Sequence, residues 1–242
     1  MHKIVVLNTK GGSGKSTLST TLAAYYATGG HRPSLMDFDP QGSSMRWVRK
    51  RPKDVPAVHG IAAYENKPGV TRTFALRIPS GCERVILDTP AAVIKHRLPD
   101  LTRGADSILV PVLPSDIDIH ATARCIADLL LIAKIHRSEN RLAVVANRVK
   151  RHTRAFQALI RFLTSLQIPV VGVLSDSQNY VRAAEAGLGI HELKASLARD
   201  DVATWRSVIG WLESREIPTL PSLAPVAAES TGEAGEACLA AE

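Results

Sequence analysis

Residues 9–17 read Thr-Lys-Gly-Gly-Ser-Gly-Lys-Ser-Thr and follow an apolar run, residues 4–7, with the character of a buried first strand. Gly11, Gly12 and Gly14, with Ser13 among them, let backbone N–H groups turn inward and form a concave nest for anionic oxygens. The next stretch, residues 16–28, reads as a helix, so its positive N-terminal end points at the same anion. Lys15 brings a mobile charge to β- and γ-phosphates, the Ser16 hydroxyl suits Mg2+, and Thr17 completes the loop. Strand, glycine-rich loop and helix in this order make a nucleotide phosphate site.

The general phosphate-loop pattern asks for glycine five residues before Gly14, where this chain has Thr9; a second lysine, Lys10, opens the loop. Lys-Gly-Gly-x-Gly-Lys-Ser/Thr is the deviant Walker A form, and here the chain resembles the ParA family of the ParA/MinD ATPases. A lysine at the loop's entrance cannot easily fold back onto phosphates already held by Lys15. The resemblance implies that Lys10 instead crosses the interface of an ATP-sandwiched homodimer and contacts the nucleotide of the second copy. There it acts like an arginine finger supplied in trans, making hydrolysis depend on association.

Further motifs follow in the family's order. Residues 36–42, Met-Asp-Phe-Asp-Pro-Gln-Gly, place Asp37 and Asp39 at the C-terminal edge of a second strand, where parallel sheets bind ligand. Strand alternation points the two carboxylates to the same side. The run resembles the first switch of ParA proteins, which implies that Asp39 orients the attacking water and Asp37 supports Mg2+ through waters, with Pro40 and Gln41 shaping the switch. Residues 84–90, Arg-Val-Ile-Leu-Asp-Thr-Pro, deliver Asp88 at a strand end in a Walker B layout, where the aspartate holds Mg2+ directly or through its water shell. Residues 89–98 would then form a second switch ordered by the γ-phosphate. Asn147 and Arg148 are placed like the family's base-contacting residues, and an asparagine amide can pair with adenine's donor and acceptor edge. A simple strand-ending turn is the other reading of that pair. Residues 178–182, Gln-Asn-Tyr-Val-Arg, followed by Gly187, also resemble small ParA chains near the nucleotide and carry no assigned role.

The chain has 242 residues, 45% hydrophobic and 22% charged, which suits one α/β domain with a substantial core. Strand-like runs at residues 3–8, 34–38, 84–88, 107–112, 141–147 and 169–174 alternate with helical patterns. The helical stretches are 116–136, 153–166 and about 196–213. The expected fold is a doubly wound, mostly parallel sheet with helices on both faces. Residues 52–80 are interrupted by four prolines and resist assignment. Residues 1–217 form the expected ATPase domain, and residues 218–242 an acidic, Pro/Ala/Glu-rich disordered tail. No helix-turn-helix module or secretory signal is expected ahead of the first strand. No apolar run approaches the ~20 residues of a membrane span. Cys82, Cys125 and Cys238 have neither metal nor redox spacing and suit a reducing cytosol.

Net charge is +7, yet residues 218–242 hold four glutamates and no Lys or Arg, leaving residues 1–217 at about +11. A basic body favours polyanions. Arg148, Lys150, Arg151, His152 and Arg154 lead into the helix containing Arg161. At 100° per residue, Arg151, Arg154 and Arg161 group opposite the Phe156/Leu159/Ile160/Leu163 stripe, a face suited to phosphate backbones rather than bases. A second run, Arg46, Arg49, Lys50, Arg51 and Lys53, surrounds Trp47; core packing of that ring is favoured over stacking on a single strand.

The resemblance thus implies a dimerising ATPase, weak unless stimulated, that binds non-specific DNA. It would position a plasmid, chromosome region or carboxysome-like body in the cytoplasm on the nucleoid. A ParB-like or McdB-like adaptor on the cargo would stimulate hydrolysis. A MinD-like membrane-surface ATPase is the alternative, but it should end in a basic amphipathic helix, and residues 218–242 are acidic and proline-interrupted. A metabolic ligase or kinase with the same loop would need neither Lys10 nor a basic outer face. A relative of the nitrogenase iron protein should present cluster cysteines, which these three do not.

Overall fold

The apolar runs become strands because they are buried on both faces: β5 (Ser107–Val112) and β2 (Pro33–Asp37) are buried at every position. The computed structural model describes residues 1–65 and 71–217. Within them β1 (His2–Val6), β2, β3 (His59–Ala62), β4 (Arg84–Asp88), β5, β6 (Leu142–Val149) and β7 (Val170–Ser175) form one seven-stranded sheet, in the order β3-β2-β4-β1-β5-β6-β7. Every pairing is parallel. The doubly wound α/β fold expected from the sequence is the one observed.

Helices cover both faces. They are α1 (Lys15–Thr28), α2 (Ser43–Lys50), α3 (Arg72–Ala75), α4 (Leu98–Thr102), α5 (Asp116–Leu131), α6 (Arg154–Ser165), α7 (Gln178–Glu185) and α8 (Ala195–Ser214). Val5 and Leu7 join one core cluster with Leu98 of α4, Ile126 and Leu129 of α5 and the Phe156/Leu159/Ile160/Leu163 stripe of α6. Ile4 and Val6 join the other, with Leu18 and Leu22 of α1, Trp47 of α2 and Trp205 and Trp211 of α8. The period of two in β1 thus feeds two cores. After β1 the chain builds toward β2 and β4 on one side and toward β5 on the other. The reversal leaves a crevice at the C-terminal end of β1, where the glycine-rich loop emerges.

The strand edges shift by one or two residues from those the sequence suggests, and the proline-interrupted stretch contains more order than its pattern signals. β3 lies there at the sheet edge, with only Ile61 fully buried. The expected acidic tail, residues 218–242, and Cys238 lie outside the described residues; Cys125 is buried and Cys82 partly so. Among the described residues no helix is long and apolar enough to cross a membrane.

Trp47 is a core residue. It is 4% exposed, and its indole N–H donates to the Leu188 carbonyl at 3.0 Å. Arg51 lies over the ring at 5.1 Å and forms a buried bidentate pair with Glu192, 2.6 Å at its closest. Neither Trp47 nor Arg51 is therefore available to a nucleic acid, while Arg49 and Lys50 remain exposed.

His191 sits in the turn beside this pair, its ring 5.0 Å from Tyr25 and 5.8 Å from Trp205, with a buried Nδ1 that has no partner among the described residues. Burial pushes its pKa down to about 4, against a smaller opposing pull from Glu192. The native state therefore holds the neutral ring, while the unfolded chain takes up a proton from about 6.5 downward. Stability from this site is present above pH 6.5 and is lost as the pH falls toward 4. His191→Phe keeps the ring contacts and removes the titration, so its melting temperature should fall less than wild type between pH 7 and pH 4, by about 5 °C. Parallel acid profiles for the two proteins would contradict the assignment.

Candidate functional site

The loop between β1 and α1 is a preformed cradle. Gly12 and Gly14 have φ of 76° and 97°, values that turn successive N–H groups to the same side. α1 starts at Lys15 with no side-chain cap and no acidic residue in its first turn, so its leading N–H groups stay free for an anion. Lys15 is 6% exposed and donates from Nζ to the Lys10 carbonyl at 3.1 Å. Burial lowers its pKa, and the charges of Asp88 and Asp39 partly restore it.

Two asparagines hold this loop, Asn8 at its entrance and Asn147 from β6. Asn8 donates to the Pro111 carbonyl at 2.7 Å and to Thr122 Oγ1 at 3.1 Å, and its Oδ1 accepts the Lys10 N–H at 3.0 Å. Asn147 donates from Nδ2 to the Ser13 carbonyl at 2.9 Å, and its Oδ1 accepts the Arg148 N–H at 3.0 Å. A Cβ on Gly14 would stand 2.1 Å from that Nδ2, so glycine is what lets Asn147 reach the loop. β6 supplies the reach through a register irregularity against β7 between Ala146 and Val149, with Arg148 at a φ of 52°. Among the described residues, one amide hydrogen and one lone pair of Asn147 remain uncommitted.

The acidic residues converge at the same edge. Asp37 and Asp88 are direct register partners on β2 and β4, both fully buried. Asp37 accepts the Asp39 N–H at 3.0 Å and the Met45 N–H at 3.1 Å. Burial raises its pKa, opposed by these bonds. Asp88 accepts the Ser44 hydroxyl at 2.7 Å. Burial pushes its pKa up to about 6, opposed by the Ser44 and Ser16 hydroxyls and reinforced by Asp37. Its Oδ1 is buried with no hydrogen-bond partner among the described residues. An orphaned carboxylate oxygen, a second carboxylate beside it and the Ser16 hydroxyl form an all-oxygen donor set that fits Mg2+. Asp39 is half-buried, and its Oδ1 accepts the Gln41 N–H at 3.0 Å.

A cavity of about 460 Å³ runs from Gly12, Gly14 and Thr17 past Asn147 and Arg148 to Ser175, Ser177, Gln178 and Tyr180. It adjoins the glycine-rich loop, and part of the 178–182 stretch, which has no role from sequence, lines it. The sequence also gave no role to Asn8, Ser44, Ser175, Ser177 or Asp201, whose carboxylate accepts both of those serine hydroxyls, at 2.5 and 2.7 Å. Polar residues ending otherwise apolar strands were the available signal for Asn8 and Ser175.

Lys150, Arg151, Arg154 and Arg161 are all exposed, and among the described residues none is paired with a carboxylate. Arg148 is exposed too, but pairs with Asp176 at 3.0 Å. α6 begins at Arg154, capped by Thr153 Oγ1, which accepts the Phe156 N–H at 3.2 Å. Arg151 therefore lies in the preceding turn rather than on the helix.

Residues 4–190 match the CobQ/CobB/MinD/ParA nucleotide binding domain. The chain is 29% identical over 216 residues to the maintenance of carboxysome distribution protein A of Gloeobacter kilaueensis, covering 85% of this chain and 91% of that protein. It is 28% identical over 193 residues to the protein of the same name from Halothiobacillus neapolitanus, covering 79% and 88%. It resembles the ATP complex of McdA from Cyanothece with a TM-score of 0.60 over 92% of this chain and 99% of that one; at 14% identity this is a likeness of fold.

Asn147→Ala tests whether this side chain tethers the loop or reads the base. With the tether lost, affinities for ATP and for inorganic tripolyphosphate should fall together, by about ten-fold, in line with one buried hydrogen bond. A loss confined to the adenine nucleotide in calorimetry would assign Asn147 to base recognition instead.

Proposed function

This chain belongs to the CobQ/CobB/MinD/ParA nucleotide-binding family, and from that premise we propose that it is an ATP hydrolase that dimerises around ATP, binds DNA without sequence preference and positions an intracellular cargo. The observation that carries this reading is the unequal setting of the two loop lysines. Lys15 is buried and hydrogen-bonded within the loop, whereas Lys10 is half-buried at its mouth, and among the described residues no group pairs with its ammonium. One lysine serves the chain's own phosphates; the other is left for a neighbour's.

In this reading Gly11, Gly12, Ser13, Gly14 and Thr17 surround the phosphates with N–H groups and Lys15 neutralises them. Ser16 and Asp88 would hold Mg2+, with Asp37 acting through its waters, and the ion when bound supplies charge neutralisation at the β- and γ-phosphates. Asp39 orients the attacking water, and Lys10 of the second copy stabilises charge as the γ-phosphoryl leaves. Asn147 and Arg148 border the base. Closure of the dimer presents the Lys150, Arg151, Arg154 and Arg161 surfaces to DNA phosphates. An adaptor of the ParB or McdB kind on the cargo stimulates turnover, which is slow without it. The similarity to carboxysome distribution proteins supports a carboxysome-like cargo on the nucleoid.

Co-sedimentation with random-sequence DNA, with and without a non-cleavable ATP analogue and Mg2+, tests the reading. Binding should require the nucleotide and be indifferent to sequence. Arg151→Glu combined with Arg154→Glu should weaken it at every sequence and reduce the slope of log K against log salt by about 2. An unchanged slope would place the DNA on another face, and nucleotide-independent binding would contradict the proposed cycle.

A further inference from the structure

Ser44 lies in the first turn of α2, five residues beyond Asp39, and is fully buried. Its hydroxyl donates to Asp88 Oδ2 at 2.7 Å, leaving Asp88 Oδ1 buried and unpartnered among the described residues. The next residue, Met45, donates its N–H to Asp37 Oδ2 at 3.1 Å. The start of α2 therefore holds both carboxylates of the adjacent strands, one through a side chain and one through backbone.

We infer that Ser44 is the positioning residue of the metal site: by occupying one oxygen of Asp88 it fixes the carboxylate's rotation and leaves Oδ1 as the oxygen available to Mg2+ or its water shell. The inference rests on the magnesium–nucleotide reading of this site. A buried carboxylate strongly prefers to be charged only when its oxygens are satisfied. Ser44 satisfies one oxygen without competing for the other. Removing the hydroxyl takes away the bond to Oδ2 and leaves the side chain freer to turn, so a cation must reorganise the group before binding it. Outer partners of this kind change metal affinity by about 10- to 100-fold. Ser44 also joins the metal carboxylate to the helix that follows Asp37 and Asp39, making the first switch and the Walker B strand one hydrogen-bonded unit.

A titration of the full-length protein with a fluorescent ADP analogue, in EDTA and across a MgCl2 series, separates metal positioning from packing. Ser44→Ala should raise the MgCl2 concentration at half-effect about ten-fold, while affinity in EDTA stays at the wild-type value. Ser44→Thr, which keeps a hydroxyl, should restore the wild-type midpoint. Ser44→Cys keeps the volume but donates weakly, so it should follow alanine, and it decides the question if alanine fails to fold. A wild-type MgCl2 midpoint in Ser44→Ala and Ser44→Cys overturns the inference, as does an equal loss of affinity with and without the metal. A wild-type protein whose ADP affinity ignores MgCl2 overturns the reading of the site itself.

Discussion

Asp37 and Asp88, two carboxylates without exposed surface, stand side by side on neighbouring strands, and the C-terminal edge of the sheet is built around them. Burial pushes both toward their neutral forms and pushes Lys15, buried nearby, toward its own. None of the three is at ease in isolation. The first turn of α2 supplies donors to the carboxylates, and the loop carbonyl of Lys10 accepts from Lys15. Under the proposed function, a dication with a triphosphate would complete the balance, with positive charge beside the carboxylates and negative charge beside the lysine.

The glycine-rich loop is tethered to parts of the chain far from it in sequence. Asn8 ties its entrance to the end of β5 and to α5, and Asn147 ties its middle to a bulge in β6. Both tethers are short polar side chains at the ends of apolar strands, where side chains of adjacent strands converge. A loop held from two sides needs little reorganisation when the anion arrives. The backbone of Lys10 is held on both sides, its N–H by Asn8 and its carbonyl by Lys15.

Much of this was legible in the sequence. The fold follows from short apolar strands alternating with amphipathic helices, and Thr9 to Thr17, Asp37, Asp39 and Asp88 could be placed at one sheet edge by order alone. What could not be read depends on contacts between distant residues. β3 is a four-residue edge strand with one fully buried position, too weak a pattern to stand out among prolines. α2 is eight residues long and capped by neither Ser, Thr, Asp nor Asn, so it lacks the usual start signal. Ser44 is unremarkable until Asp88, 44 residues away, is brought beside it. Asn147 left two readings open, and its bond to Ser13 spans 134 residues. The basic run at Arg46 to Lys53 divided in a way composition cannot show, Arg51 turning inward to Glu192 while Arg49 and Lys50 stay outside.

In the proposed cycle Lys10, whose ammonium has no partner among the described residues, completes a site on a second copy. Light scattering on the purified chain saturated with a non-cleavable ATP analogue and Mg2+ tests it most directly. The expected mass is twice that of the nucleotide-free protein, with a return to the single-chain mass in Lys10→Ala. A wild-type chain that stays monomeric under these conditions, or a Lys10→Ala variant that dimerises as fully, would contradict it.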